Sequence, residues 1–149
     1  MKLPYAEDIN YWKTSKSSPD SWIEKSVKQI ETLKGKVLTH AFGQDPVSGN
    51  SAYMIMFEIG INTFKIIQPV LPTYHGEDAA ARRQATTLLY HEVKSRCLRS
   101  AITGPQEAFF QYMILPDGRM TSQASIPEIV TGLPLSLTGY SIPLLKDRS

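Results

Sequence analysis

The chain has 149 residues, 42% apolar and 20% charged, which is the size and make-up of one globular domain able to bury an apolar core and excludes a wholly disordered chain. Sixteen Lys and Arg against 14 acids leave a net charge of +2, which excludes a whole-molecule field that draws the protein to nucleic acid or to an anionic membrane. The single cysteine, Cys97, excludes an internal disulfide, and one Cys with three scattered His residues offers no zinc-ligand spacing, so neither a metal nor another cofactor is expected.

The N-terminus MKLPYAEDINYWK carries acids where a signal peptide needs an apolar run, and no stretch approaches 18 apolar residues. A cytoplasmic protein without membrane contact is therefore expected. Residues 1–17 are polar and read as a flexible arm, with Tyr5, Tyr11 and Trp12 as docking aromatics. A single domain is expected over residues 18–132.

Ser18 as cap and Pro19 as first helical residue open a predicted helix over residues 19–34. Ser21 with Glu24 offers an alternative capping box. Ile23, Val27, Ile30 and Leu33 recur at helical spacing, and Gly35 stands where a C-terminal glycine belongs. From Lys36 the period becomes extended. KVLTHAF reads as a strand, QDPVSGNS as a hairpin loop, and SAYMIMFEIG as a second strand. In that second strand Tyr53, Ile55, Phe57 and Ile59 share one face, and Ala52, Met54, Met56 and Glu58 the other. TFKIIQPVL is a third strand, closed by Pro69 and Pro72. Met54 and Met56 are apolar on the wetter face, so either helices partly cover it or a partner meets it.

A second helix is predicted after PTYHG, with Glu77 and Asp78 at its positive end and a stop near Gly104. Pro105, Gln106 and Glu107 look like the first turn of a short helix to Leu115, and Pro116-Asp117-Gly118 like a turn. SIPEIVTG suggests one or two helical turns, and residues 133–149 an extended or disordered tail. The predicted class is α+β: a helix, a three-stranded antiparallel meander, then two or three helices packed on one face of the sheet over Ile55, Phe57, Phe64 and Ile66.

Three constellations bear on chemistry. Glu92 and Lys94 form the E-x-K pair of many metal-dependent nucleases, which need both side chains on one face of a strand. On a helix, positions two apart diverge by about 200°. Cys97 and His91, six residues apart, fall on opposite sides of a helix, and a lone helical cysteine reads as a small buried residue. Phe109, Phe110 and Tyr112 read as core.

The remaining feature is charge. Residues 82–99 hold Arg82, Arg83, Lys94, Arg96 and Arg99 against Glu92 alone, a net +4 inside a chain of +2. Thr86, Leu89, Tyr90, Val93 and Cys97 fall within one arc, while His91, Lys94, Arg96 and Arg99 span the opposite side. The bland account is a solvated face with cations near the helix C-terminus. The functional account is a phosphate-contacting stripe.

The order of SWIEKSVKQIETLKG, three antiparallel strands, then AAARRQATTLLYHEVKSR resembles the double-stranded-RNA-binding domain over roughly residues 19–100. That resemblance implies a second helix facing phosphates, with Arg82 and Arg83 as backbone contacts. The chain departs from the family in two places: EDAAARR replaces a lysine-rich helix start, and QDPVSGN replaces a histidine-containing loop. ARRQATTLLYHEVKSRC and LPDGR are also similar to stretches in small uncharacterised proteins of phages and other mobile elements.

The sequence thus predicts a non-catalytic binding protein that contacts RNA or DNA backbone through Arg82, Arg83, Lys94, Arg96 and Arg99. The alternative is a protein-interaction module, an inhibitor or accessory factor, that meets a partner or a second copy of itself through Met54 and Met56. A metal-dependent nuclease ranks third.

Overall fold

The helix predicted after Ser18 forms as α1, Pro19–Thr32, with the Ser18 hydroxyl accepting from the Ser21 amide at 3.2 Å. The computed structural model describes residues 2–121. Downstream of α1 follow β1 (Lys36–Gln44), β2 (Ser51–Ile59), β3 (Asn62–Pro69), α2 (Asp78–Thr103) and the single turn α3 (Pro105–Ala108). The strands form one antiparallel sheet in the order β1-β2-β3. The architecture is α+β, as predicted.

The core lies between the sheet and the pair α1 and α2. Alternation in β2 sends Tyr53, Ile55, Phe57 and Ile59 to the helix side, joined by Phe64 and Ile66 of β3. Against them pack Ile23 and Ile30 of α1 and Ala85, Leu89, Val93 and Cys97 of α2. Each fully buried large side chain contributes about 1.5–3 kcal/mol relative to exposure. Phe57, Phe64 and Phe109 form an aromatic centre, with ring centroids 5.1–5.5 Å apart.

Four local expectations are corrected. First, Lys34 rather than Gly35 takes the left-handed conformation that ends α1, at φ 60°. Gly35 serves close packing instead: a Cβ there would lie 2.7 Å from Ile30 Cγ2 and 2.9 Å from the Ile30 carbonyl oxygen. Second, β1, expected to end at Gly43, runs to Gln44.

Third, the short helix expected to reach Leu115 stops at α3, followed by a 3-10 turn over Phe110–Tyr112. Met113 then bridges Phe64, and the Ile114 amide donates to the Thr63 carbonyl at 2.8 Å, so the chain lies along the outer edge of β3. The strand-like composition of FFQYMIL prevails where burying Phe109, Met113 and Leu115 requires an extended chain. The turn at Pro116-Asp117-Gly118 forms as predicted, with Gly118 at φ 90°.

Fourth, the arm expected to be flexible over residues 1–17 is docked. Ala6 is buried against Leu71 and Ala81, and its amide donates to the Pro72 carbonyl at 2.7 Å. The buried Gln84 side chain donates from Nε2 towards the carbonyls of Ala6, Ile9 and Asn10 at 2.8–3.2 Å. Tyr5 stacks on Tyr74, Tyr11 stacks on His91, and Lys13 pairs with Glu77. A polar segment without an apolar stripe is held here by main-chain hydrogen bonds that Gln84 satisfies.

The turns expected at SIPEIVTG, the domain end at 132 and the tail from 133 lie outside the described residues.

Candidate functional site

α2 places its five basic residues on different sides. Arg82 turns to the sheet: its Nε donates to the Tyr53 hydroxyl at 2.8 Å, and its guanidinium lies 4.1 Å from the Phe42 ring centroid. Arg96 turns to the segment after α2, where its guanidinium donates to Gln111 Oε1 at 3.0 Å and lies 3.4 Å from the Glu92 carboxylate. Arg99 reaches Glu107 at 3.8 Å. Lys94 is exposed on the α1 side, lining a shallow groove with Gln29 and Leu98. Arg83 is half-buried. The five are not gathered into one patch, and three are engaged by neighbours in the fold.

The E-x-K pair is separated as helical geometry requires. Glu92 accepts a hydrogen bond from the Tyr112 hydroxyl on the side away from α1, while Lys94 faces the groove beside α1. Burial, and then the Glu92 carboxylate, push the Tyr112 hydroxyl far above its ordinary range. Cys97 is buried, and loss of solvation pushes its thiol up to about 11, the opposite of an activated nucleophile. His91, expected on the open side of α2, is half-buried between Tyr11 and Trp22, with centroids at 4.6 and 6.2 Å. Tyr90, expected in the core arc, is half-buried against Trp22.

No helix among the described residues is long and apolar enough to cross a membrane, and no three His, Cys, Asp or Glu residues among them cluster to hold a metal ion.

The face of the sheet away from the helices has a different character. Cross-strand register aligns Ala41 of β1, Met54 of β2 and Ile67 of β3 in one row, and Thr39, Met56 and Lys65 in the next. Met54 and Met56 are half-buried. None of the described helices covers this face, and the helical turns expected at SIPEIVTG lie outside the described residues. A hollow of about 280 Å³ lies over them, with Ala52 and Ile67 in its wall and Asp45 and Lys65 at its rim. The Asp45 carboxyl is held below its usual range, chiefly by the Ser48 hydroxyl donating to it at 2.9 Å. A larger cleft of about 720 Å³ lies at the N-terminal end of α2, between the docked arm, Phe42 and Arg82.

Sequence reasoning missed Gln84. A glutamine flanked by Ala80, Ala81 and Ala85 was the available signal, because small neighbours let another segment come close.

No family model matches the chain, and no curated protein or solved structure is found to be similar to it.

Proposed function

We propose that this chain is a non-catalytic interaction protein that holds an extended, largely apolar segment of a protein partner on the face of its sheet that none of the described helices covers. The observation that carries this reading is the half-buried pair Met54 and Met56 at the centre of that face, apolar where a solvated face is polar. The solvated side of an antiparallel sheet ordinarily presents polar side chains. Here the central strand offers Met54 and Met56, flanked by Ala41 and Ile67. Methionine adapts its shape to varied apolar surfaces, which suits a binding floor better than a fixed core. Lys65 and Asp45 at the rim supply one charge of each sign, enough to orient a bound segment.

The test is selection of a displayed peptide library on the full chain, with Met56→Lys as the counter-selecting protein. Apolar peptides that bind the parent and lose at least about tenfold affinity for the variant, roughly 1.4 kcal/mol, support the reading. Recovery of no peptides, or of peptides that bind both proteins equally, ends it.

A second reading, contact with nucleic acid backbone through α2, is favoured by Arg83 and Lys94, which form no ion pair among the described residues. Fluorescence anisotropy with RNA and DNA duplexes would then give salt-dependent affinity that drops for the double variant Arg83→Ala, Lys94→Ala. No binding at low salt ends it.

A further inference from the structure

We propose that β1 pairs edge to edge with β1 of a second copy, joining two three-stranded sheets into one six-stranded antiparallel sheet about a two-fold axis at His40. This inference concerns the sheet edge and stands independently of the reading of the Met54 and Met56 face.

The two edges of the sheet are treated differently. Along β3 the chain closes its own edge, with Met113 bridging Phe64 and the Ile114 amide bonded to Thr63. Along β1 no described strand pairs with the outer edge. A free edge presents a row of main-chain donors and acceptors, and monomeric proteins blunt it with proline, inward charge, bulges or short length. β1 is nine residues long. Its only such devices, Lys36 and the bulge between Val37 and Thr39, sit at its beginning. From Thr39 to Gln44 it carries neither proline nor a formal charge, apart from the imidazole of His40.

Among the described residues β1 is also little covered on its faces, the Arg82 guanidinium over the Phe42 ring apart. Eight of its nine residues are exposed, and Leu38 and Phe42 are large apolar side chains at 42% and 43% exposure. Register with Ile55 and Tyr53 puts His40 and Phe42 on the helix side, and alternation from Thr39 puts Leu38 there too.

An extended chain is the occupant that satisfies such an edge, and the strand's own sequence fits itself. In antiparallel pairing centred on His40, Leu38 of each copy faces Phe42 of the other, and Thr39 faces Ala41. Apolar cross-strand pairs of this kind stabilise sheets. Charge fits as well: the beginning of the strand is basic, with Lys34 and Lys36, and its end runs into Asp45. The two-fold arrangement brings each basic end to the other copy's Gln44–Asp45 end, whereas parallel pairing would set lysine against lysine. The contact is isologous and therefore closes at two copies. It also extends the methionine-lined floor across both sheets.

The test is the mass of the full chain by sedimentation across a concentration series up to about 200 µM, above the dissociation constant of a micromolar contact. The parent protein should move from 16.7 kDa towards twice that mass. His40→Glu, which sets two carboxylates against each other at the axis, should stay at the lower mass at every concentration with unchanged circular dichroism. Met56→Lys should dimerise like the parent. His40→Cys should cross-link under copper-phenanthroline oxidation, whereas Gln44→Cys, which faces Lys36, should not; Cys97 is buried and takes no part. A parent protein that stays monomeric throughout overturns the proposal. So do a dimer that survives His40→Glu, one lost with Met56→Lys, and equal cross-linking of the two cysteine variants.

Discussion

β1 and β2 are hydrogen-bonded neighbours of nine residues each, yet β2 buries five of its residues and β1 buries none. Both contain large apolar side chains, so composition alone does not separate them. The difference lies in what stands over each strand. Ile23, Ile30, Leu89 and Val93 descend from the two helices into the core that Phe57 centres. Among the described residues of β1 Val37 alone is half-buried; Leu38, His40 and Phe42 are exposed, with the Arg82 guanidinium over one side of the Phe42 ring. Burial belongs to the pair of surfaces, not to the strand. A strand that resembles its neighbour in sequence stays exposed when the described helices stop short of it.

The largest expected effect breaks the covered half of this contrast. Phe57 is fully buried against Phe64 and Phe109. Phe57→Ala should lower the free energy of unfolding by about 3–5 kcal/mol, from lost transfer energy and the cavity left behind. Urea denaturation of the variant checks this. A loss below about 1 kcal/mol would mean that the core does not centre on β2.

How far the fold was legible follows from the same contrast. The order of elements, the face shared by Ile55, Phe57, Phe64 and Ile66, and the buried side of α2 at Leu89, Val93 and Cys97 follow from periodicity, because each depends on one element meeting one layer. Periodicity fails where a residue meets a third neighbour. Tyr90 lies within the apolar arc of α2 and His91 on its open side, yet both are half-buried because α1 and the docked arm bring Trp22 and Tyr11 to them. Gln84 is polar and so appears solvent-facing until the carbonyls of Ala6, Ile9 and Asn10 arrive from more than seventy residues away. The same limit applies to the basic stripe. Arg82 turns to Tyr53 and Phe42 of the sheet, and Arg96 and Arg99 are engaged by Gln111 and Glu107, beyond the end of α2. The methionines at 54 and 56 were legible as an anomaly because they violate the alternation of their own strand.

An intermediate effect uses titration to sharpen the contrast. The groups whose protonated forms are favoured by burial, Cys97 and Tyr112, both belong to the covered half of the molecule. For Cys97 the folded value, about 11, stands above the ordinary value of 9.0. The stability it contributes is therefore fully present below pH 9 and is lost as pH rises towards 11, at about 1.4 kcal/mol per pH unit. Tyr112 acts in the same direction from its ordinary value of 10.0 upwards. Urea midpoints between pH 8 and pH 10.5 should fall accordingly, and Cys97→Ala should flatten the fall that begins near pH 9. A flat profile in the parent protein would place Cys97 in water.

The smallest expected effect is the most discriminating. Leu38 sits in the bulge of β1, 42% exposed. At low micromolar concentration, Leu38→Ala should change the free energy of unfolding by less than about 1 kcal/mol, because little buried surface is lost and no cavity forms. The same truncation removes one side of both Leu38–Phe42 pairs across the proposed dimer axis. Stability that depends on a partner rises with protein concentration, whereas stability internal to one chain does not. The melting temperature of the parent protein should therefore climb with concentration, and that of Leu38→Ala should not. A Leu38→Ala loss as large as that of Phe57→Ala, independent of concentration, would assign β1 to the same core as β2 and remove the distinction between the two strands.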